Sequence, residues 1–331
     1  MAYPNNANQW TAKFRVALVA LCLALGAVAA GAQEYPSKPI RIVVGFPPGG
    51  SNDVVARILS PKLADILGVP VVVENKPGAN ATIGTDFVAK AAPDGYLITL
   101  GSLSPLVLSL FTYAKIPYDT LKDLTPITTL ALTPEVVAVH PSIPARNLKE
   151  LIELSRSKQL SLSSAGNGGL PHLAIELLKG ISKGNFLHVP YKGAGPAVTD
   201  TVAGHVNGVI MDLPALATFV KDGRLRALAV TNQRRTDVLP EIPTSGEQGM
   251  AGLQAVNWFA LMAPAKTAKP IADKLHASAL KALSLSQTKD ELAKVGIEPF
   301  TMPSPEAFRK FLGEEVERWG KIARDAGVKA E

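Results

Sequence analysis

The 331-residue chain has a single cysteine, Cys22, which lies in a leader that we expect to be removed. A mature protein without cysteine has no disulfide, no thiolate nucleophile and no cysteine-ligated zinc or iron–sulfur cluster. Aromatic residues make up only 6% of the chain and charged residues 19%, whereas hydrophobic residues reach 47%. This composition is ordinary for a globular α/β protein and excludes disordered and collagen-like classes.

Charge of one sign and catalytic motifs are also scarce. Without the leader's Lys13 and Arg15, the 34 basic side chains become 32 against 28 acidic ones, too small and scattered an excess to indicate nucleic-acid binding. The chain has five histidines and lacks the G-x-S-x-G, H-E-x-x-H, G-x-G-x-x-G and G-x-x-x-x-G-K-[ST] patterns. We therefore predict no catalytic residues, no metal site and no cofactor.

The first 32 residues have the order of a secretory signal peptide. Lys13 and Arg15 precede the apolar run 16–28, and the small residues 30–32 follow it. The run is shorter than the roughly 20 apolar residues that span a bilayer, so a membrane anchor is the weaker interpretation. We predict cleavage after Ala32 and export of a soluble protein to the periplasm.

The rest of the chain alternates short β-branched runs with amphipathic segments, which indicates βα units with largely parallel strands. One series begins with the strand 40–46, and a second begins near Pro134. The helices predicted after residue 270 follow only one strand of their own. We therefore expect this last part of the chain to pack with the first series. We predict two βα lobes with two crossovers and a cleft between them, comprising residues 33–133 with 252–331, and residues 134–251.

Four turns follow strands and begin helices with small or hydroxyl residues: 47–53, 77–84, 163–172 and 211–214. Backbone N–H groups at such turns can bind an anion, although glycine there also serves tight turns alone. Asp53 and Asp212 are either general bases or partners of a helix dipole. Because Asp212 ends a buried-looking strand at the predicted cleft, we favour it for ligand contact, with its carboxylate accepting a hydrogen bond.

Seven segments in this order resemble the Bug family, the extracytoplasmic solute receptors of tripartite tricarboxylate transporters. They are 35–41, 47–53, 74–79, 93–96, 117–119, 188–193 and 240–244. The resemblance implies a type II periplasmic-binding-protein fold that closes on a small carboxylate. It also implies these ligand-binding residues: Phe46, Pro48, Gly49, Gly50, Ser51, Asn52, Asp53, Ala79, Ser102, Ser104, Ser164, Asn167, Gly168 and Asp212.

The resemblance further implies a monomeric receptor that delivers its carboxylate, whether mono-, di- or tricarboxylate or aromatic, to the permease subunits of such a transporter. Two alternatives stay open at this point. A sensor that feeds a signalling pathway needs the same cleft, and a periplasmic enzyme that acts on a carboxylate through Asp53 or Asp212 would show turnover.

Overall fold

Strands and helices alternate through most of the computed structural model, which describes residues 35–329. The strands are β1 (Ile40–Val44), β2 (Val71–Asn75), β3 (Leu97–Ser102), β4 (Leu124–Val139), β5 (Leu160–Ser164), β6 (Phe186–Pro190), β7 (Gly208–Asp212), β8 (Arg226–Val230), β9 (Val256–Pro264) and β10 (Glu298–Pro299). The predicted leader lies outside the described residues.

The helices are α1 (Ser51–Leu67), α2 (Thr82–Ala89), α3 (Ser109–Thr112), α4 (Thr120–Asp123), α5 (Leu148–Ser157), α6 (Leu170–Ser182), α7 (Ala194–Val202), α8 (Leu213–Lys221), α9 (Lys269–Ser284), α10 (Ser286–Lys294) and α11 (Pro305–Ala326). A π-helical turn, Ser104–Leu108, leads into α3. Within residues 35–329, none of these helices has both the length and the apolar character needed to cross a membrane.

The strands form one mixed sheet in the order β2-β1-β3-β9-β4-β7-β5-β6, and β8 and β10 also pair with β4. The groups β2-β1-β3 and β7-β5-β6 are each parallel. Between them, β9 and β4 are antiparallel to their neighbours. Strand β4 pairs with β9 over residues 124–134 and with β7 over residues 135–139, so it joins the two parallel groups.

The first twelve residues of β4 were not expected to be a strand. The sequence predicts a strand from Val136, where a strand-like apolar run begins after the boundary near Pro134. The preceding segment contains Pro126 and Pro134, and a proline removes a ladder hydrogen bond. The structure accommodates Pro126 at one of two register shifts in the pairing with β9. The predicted domain boundary at 133/134 therefore lies inside a continuous strand.

Both faces of β4 are buried in apolar cores. Val137 and Val139 belong to a core that also contains α5, α6 and α11 side chains, whereas Val136 and Ala138 belong to a second core under α7 and α8. Successive strand side chains point to opposite faces, so a continuous apolar run suits a strand that is covered on both sides.

The sequence Asn147-Leu148-Lys149-Glu150 predicts a capping box, and the structure has a side-chain cap at the start of α5. The Asn147 side-chain oxygen accepts from the Glu150 N–H at 2.9 Å, and the Glu150 carboxylate accepts from the Asn147 amide at 2.9 Å and the Arg146 N–H at 2.7 Å. These bonds satisfy donors that the helix itself leaves without acceptors.

Helix α11 is attached to the sheet through a buried carboxylate. The Oε2 atom of Glu315 accepts from the indole N–H of Trp258 on β9 at 2.8 Å and from that of Trp319 at 3.0 Å. Arg318, on the solvent side, donates to the other carboxylate oxygen at 3.2 Å. One acceptor thus serves two buried donors from different elements.

Variants of Glu315 test whether its hydrogen bonds to the two indoles stabilise the packing of α11 on the sheet. We expect Glu315→Ala to lower the free energy of unfolding by about 2–4 kcal/mol, because it leaves two buried indole donors unpaired. Glu315→Gln keeps an oxygen acceptor and serves as the control, with a loss less than half as large. Urea denaturation measures both values, and equal losses would show that the two bonds do not stabilise the packing of α11.

Candidate functional site

A small cavity, which we call the inner pocket, lies where the loop after β1 meets the ends of β3, β7 and β9. Its volume is about 50 Å³, room for a few water molecules or a carboxylate group. Eight of the predicted ligand residues line it: Phe46, Pro48, Gly50, Ser51, Asn52, Ser102, Ser104 and Asp212. Eight others were not predicted: Pro47, Asn80, Ala165, Pro171, Ala194, Gly195, Met211 and Asn257.

A wider opening of about 660 Å³, the outer cleft, adjoins the inner pocket. The two share Phe46, Pro47, Asn80 and Ala165. The outer cleft is lined by residues 45–47, 77–81, Tyr113, 165–167 and 190–193, and these include the predicted Ala79 and Asn167. A ligand with one end in the inner pocket therefore has space for the rest of its length.

Four predicted ligand residues line neither space. The Gly49 N–H donates to Asp53 at 3.0 Å, and the Gly168 N–H donates to His172 Nδ1 at 3.0 Å. The Ser164 hydroxyl lies 2.6 Å from His188 Nε2. These residues hold the loops that carry the lining, and their contact with a ligand stays a prediction.

Four helices begin at the inner pocket, among them α6, whose Pro171 is part of the lining. The first helical hydrogen bond of α1 runs from the Val54 N–H to the Gly50 oxygen at 3.0 Å, so the N–H groups of Ser51 and Asn52 have no acceptor within the helix. Helix α7 begins at Ala194, and α8 follows Asp212 directly. Helix N-termini carry partial positive charge, and exposed N–H groups there bind anions.

Asp53 stabilises the start of α1. Its carboxylate accepts from Gly49 N–H at 3.0 Å, Arg57 Nε at 2.8 Å and Asn75 Nδ2 at 2.9 Å. Burial disfavours the charged form, but the hydrogen bonds from Arg57, Gly49 and Asn75 outweigh it and hold the pKa of Asp53 below its ordinary value. Of the two roles considered for Asp53, general base and partner of a helix dipole, these contacts favour the second.

Three buried polar atoms of the inner pocket have no hydrogen-bond partner among the described residues. They are Asn52 Nδ2, Ser102 Oγ and Asn257 Oδ1, and each side chain is at most 5% exposed. Buried polar groups are nearly always paired, so three exceptions in one cavity need an explanation. Together they offer an amide donor, a hydroxyl and a carbonyl acceptor to a polar ligand.

The inner pocket has one charged lining residue. Asp212 accepts from the Asn257 amide, whose Nδ2 lies 3.1 Å from each carboxylate oxygen. Neither a lysine nor an arginine or histidine is among the sixteen lining residues. The cavity thus offers an anion hydrogen-bond donors rather than an opposite charge. Over residues 35–329, no group of three or more metal-ligating side chains comes together.

Sequence reasoning missed Asn257 and, behind Asp212, Glu135. Each had a visible signal, since Asn257 is a polar residue within an apolar strand and Glu135 is a charge next to the run 136–139. What was not visible is that β7, β4 and β9 are adjacent, which places these side chains beside Asp212.

Comparison with solved structures confirms the predicted fold class, that of α/β periplasmic binding proteins. The periplasmic binding protein BugD aligns with a TM-score of 0.85 at 33% identity, over 90% of this chain and 100% of BugD. MatC from Rhodopseudomonas palustris, solved with bound malate, aligns with a TM-score of 0.82 at 30% identity, over 87% of this chain and 99% of MatC.

Sequence comparison identifies the family. The model of the tripartite tricarboxylate transporter family receptor matches residues 55–328. Protein BugT of Bordetella pertussis is 37% identical over 95% of this chain and 98% of its own length. The chain belongs to this family of receptors, as the resemblance implies.

The hydrogen bonds of Asp53 predict a pH dependence of stability. Its lowered pKa means that the stabilisation is complete above the unfolded-state pKa of about 3.9 and is lost as the pH falls through the folded-state value. We expect Asp53→Asn to cost about 1–3 kcal/mol at pH 7, with the difference from wild type shrinking below about pH 4. Denaturation at pH 3 to 7 measures it. Asp65→Asn, an exposed carboxylate of the same helix, is the control and should change little.

Proposed function

We propose that this protein is an exported receptor that captures a small carboxylate in the inner pocket and outer cleft and delivers it to a tripartite tricarboxylate transporter permease. The observation that carries the proposal is the inner pocket itself, where unpaired buried polar atoms meet the first N–H groups of α1. The family of the chain and the malate in the MatC structure support the same ligand class.

In this proposal, one carboxylate group of the ligand accepts from the N–H groups of Ser51 and Asn52 and from the Ser102 hydroxyl. The dipole of α1 adds favourable charge without a cation. The remainder of the ligand extends past Asn80 and Ala165 into the outer cleft. Residues 33–133 with 252–331 and residues 134–251 form the two lobes, and ligand binding shifts their population towards a closed form that the permease distinguishes.

The proposal includes removal of residues 1–32 during export and a periplasmic monomer that binds its ligand without chemical change. A binding screen tests the central claim. Mono-, di- and tricarboxylates, aromatic acids among them, are added to the mature protein and ranked by thermal shift, and the hits are titrated calorimetrically. Recovery of the intact ligand after unfolding of the complex separates a receptor from an enzyme.

Gly50 provides a direct test of where the ligand binds. A side chain at Gly50 fits the fold, since a Cβ there meets only the Pro47 oxygen at 3.7 Å and the backbone φ is −77°. We expect Gly50→Val to abolish detectable binding of the best carboxylate from the screen, because the branched side chain occupies the space in front of the Ser51 and Asn52 N–H groups.

The matched control is Gly180→Val on α6, where a Cβ meets no neighbouring atom within 4 Å outside the backbone of its own helix. Both variants should unfold within a few degrees of wild type, and the control should bind normally. Normal affinity in Gly50→Val would place the carboxylate elsewhere.

Ser102 and Thr99 lie on the same strand, β3. Variants at these two positions test ligand binding and stability separately. Thr99 Oγ1 donates to the Val43 oxygen at 3.1 Å, whereas Ser102 Oγ is unpaired among the described residues. We expect Ser102→Ala to leave stability unchanged and to weaken carboxylate affinity roughly 10- to 100-fold, the loss of one hydrogen bond to a charged group. Thr99→Val should instead cost about 1 kcal/mol of stability and leave affinity unchanged. Calorimetric titration and urea denaturation provide the two measurements.

A further inference from the structure

Behind the inner pocket, Asp212 faces a second carboxyl group that does not line the cavity. Glu135 on β4 is the direct cross-strand partner of Asp212 on β7. The Glu135 side chain is fully buried, and among the described residues no N–H or O–H group of another side chain or of the backbone donates to its two carboxyl oxygens. The backbone around it is well held, with the Glu135 N–H bonded to the Ala255 oxygen and its own oxygen accepting from Thr231.

Within residues 35–329, no lysine, arginine or histidine forms an ion pair with either carboxyl group. Asp212 accepts from the Asn257 amide, and both Glu135 carboxyl oxygens lack a partner. Charged side chains on the other elements near β4 bond elsewhere or lie at a distant end. Two of these groups are in ion pairs with other residues, Glu298 with Arg234 and Asp53 with Arg57. Three are hydrogen-bonded elsewhere: Arg226 to the Ile143 and Ala145 oxygens, Glu315 to two indoles, and His276 to the Met302 oxygen. Lys221 lies at the C-terminal end of α8, far from Asp212 at its start.

Two ionised carboxylates side by side in a buried site without a cation are strongly unfavourable, so the pair retains a proton. Burial raises the pKa of Glu135 well above its ordinary value, and the charge of Asp212 raises it further. Burial also raises the pKa of Asp212, but its hydrogen bonds with Glu135, Ser51 and Asn257 act in the opposite direction. The geometry is asymmetric, because the Asn257 amide donates to both oxygens of Asp212 whereas no such donor reaches Glu135 among the described residues, and this asymmetry places the negative charge on Asp212 and the proton on Glu135.

We propose that Glu135 and Asp212 share one proton, which Glu135 donates to Asp212, and that Asp212 thereby presents a single anionic acceptor to a donor group on the bound carboxylate. This inference rests on the proposed function, since it specifies the class of carboxylate that the inner pocket takes. Glu135 is a positioning residue, because it acts on the ligand only through Asp212.

The position of Asp212 defines the ligand class. Asp212 lines the same small cavity as Ser51 and Asn52, whose N–H groups begin α1 and bind the ligand carboxylate in the proposed function. The unpaired Asn257 Oδ1 lies on the same side chain whose amide donates to Asp212. A ligand carboxylate at α1 therefore has acceptors beside it, which favours a hydroxyl or ammonium group on the adjacent carbon. A ligand without that donor leaves buried acceptors unpaired next to a like charge.

The shared proton is tested first without any ligand. A proton retained by the folded protein makes the unfolding equilibrium constant rise tenfold per pH unit, from about pH 5 up to the folded-state pKa of Glu135. We expect wild type to lose stability with this slope relative to Glu135→Gln, whose amide donates to Asp212 without a titratable proton. Asp212→Asn removes the neighbouring charge but not the burial that raises the pKa of Glu135, so its slope should stay closer to that of wild type.

Denaturation curves from pH 5 to 9 measure these slopes. Parallel curves for wild type and Glu135→Gln would mean that the pair retains no extra proton, and they would overturn the proposal. If Glu135→Gln does not fold, Glu135→Leu, which also lacks a titratable proton, provides the comparison. If Glu135 had only a structural role, Glu135→Gln would change the free energy of unfolding by the same amount at every pH, and its dependence on pH would stay that of wild type.

The ligand class is tested with three probes of the same length: malate, with a hydroxyl on the adjacent carbon, aspartate, with an ammonium group there, and succinate, with neither. We expect wild type and Glu135→Gln to bind malate, aspartate or both roughly 10- to 100-fold more tightly than succinate. Which of the two binds more tightly identifies the donor. Asp212→Asn, which lacks the anionic acceptor, should bind all three within a few-fold.

The outcomes separate the two proposals. Equal affinities of wild type for the three probes overturn the inference and leave the carboxylate receptor intact. If no carboxylate binds at pH 5 to 9, the proposed function fails and the ligand class fails with it, while the pH slopes still decide whether the proton is shared.

Discussion

The site depends on the double pairing of one strand. Strand β4 pairs with β9 along its first part and with β7 and β8 along its second. Because this strand is covered on both faces, its side chains contribute to two apolar cores at once. At Glu135, the partner of β4 changes from β9 to β7. Asn257 on β9 and Asp212 on β7 therefore both lie beside the same segment of β4, residues 133–135. A polar cluster within so apolar a region needs its own compensation, which hydrogen bonds among these side chains provide.

The recognition that we propose needs no cation, and none is among the residues that line the inner pocket. A buried lysine or arginine would itself have to be desolvated, and it would form an ion pair with Asp212 before any ligand arrived. Helix N–H groups avoid this cost, because they are fixed by the fold and carry only partial charge. The same reasoning explains why Asp53, two residues into α1, bonds to Arg57 and Asn75 outside the lining and leaves the Ser51 and Asn52 N–H groups available.

Polar side chains that are hydrogen-bonded within the protein lie only a few residues from polar side chains of the inner pocket that have no partner among the described residues. Thr99 and Ser102 lie on one strand, yet only Thr99 is bonded within the protein. Ser104 accepts from the Leu170 N–H and so helps to hold the start of α6 while it also lines the inner pocket. A site of this kind costs some stability in its unpaired atoms and relies on large apolar cores to offset that cost.

Local patterns in the sequence determined much of the fold, and the family resemblance supplied half of the residues that line the inner pocket. The strand 160–164, the helix 305–326 and the Asn147–Glu150 capping box follow from neighbours in the chain, as does the glycine-containing turn before α1. Tertiary structure decided the rest. The segment from Leu124 is a strand despite two prolines because β9 supplies partners on either side of the register shifts. Asn257 and Glu135 meet Asp212 only because strands that are distant in the chain are adjacent in the sheet, and the order of strands depends on contacts between remote residues that no local pattern encodes.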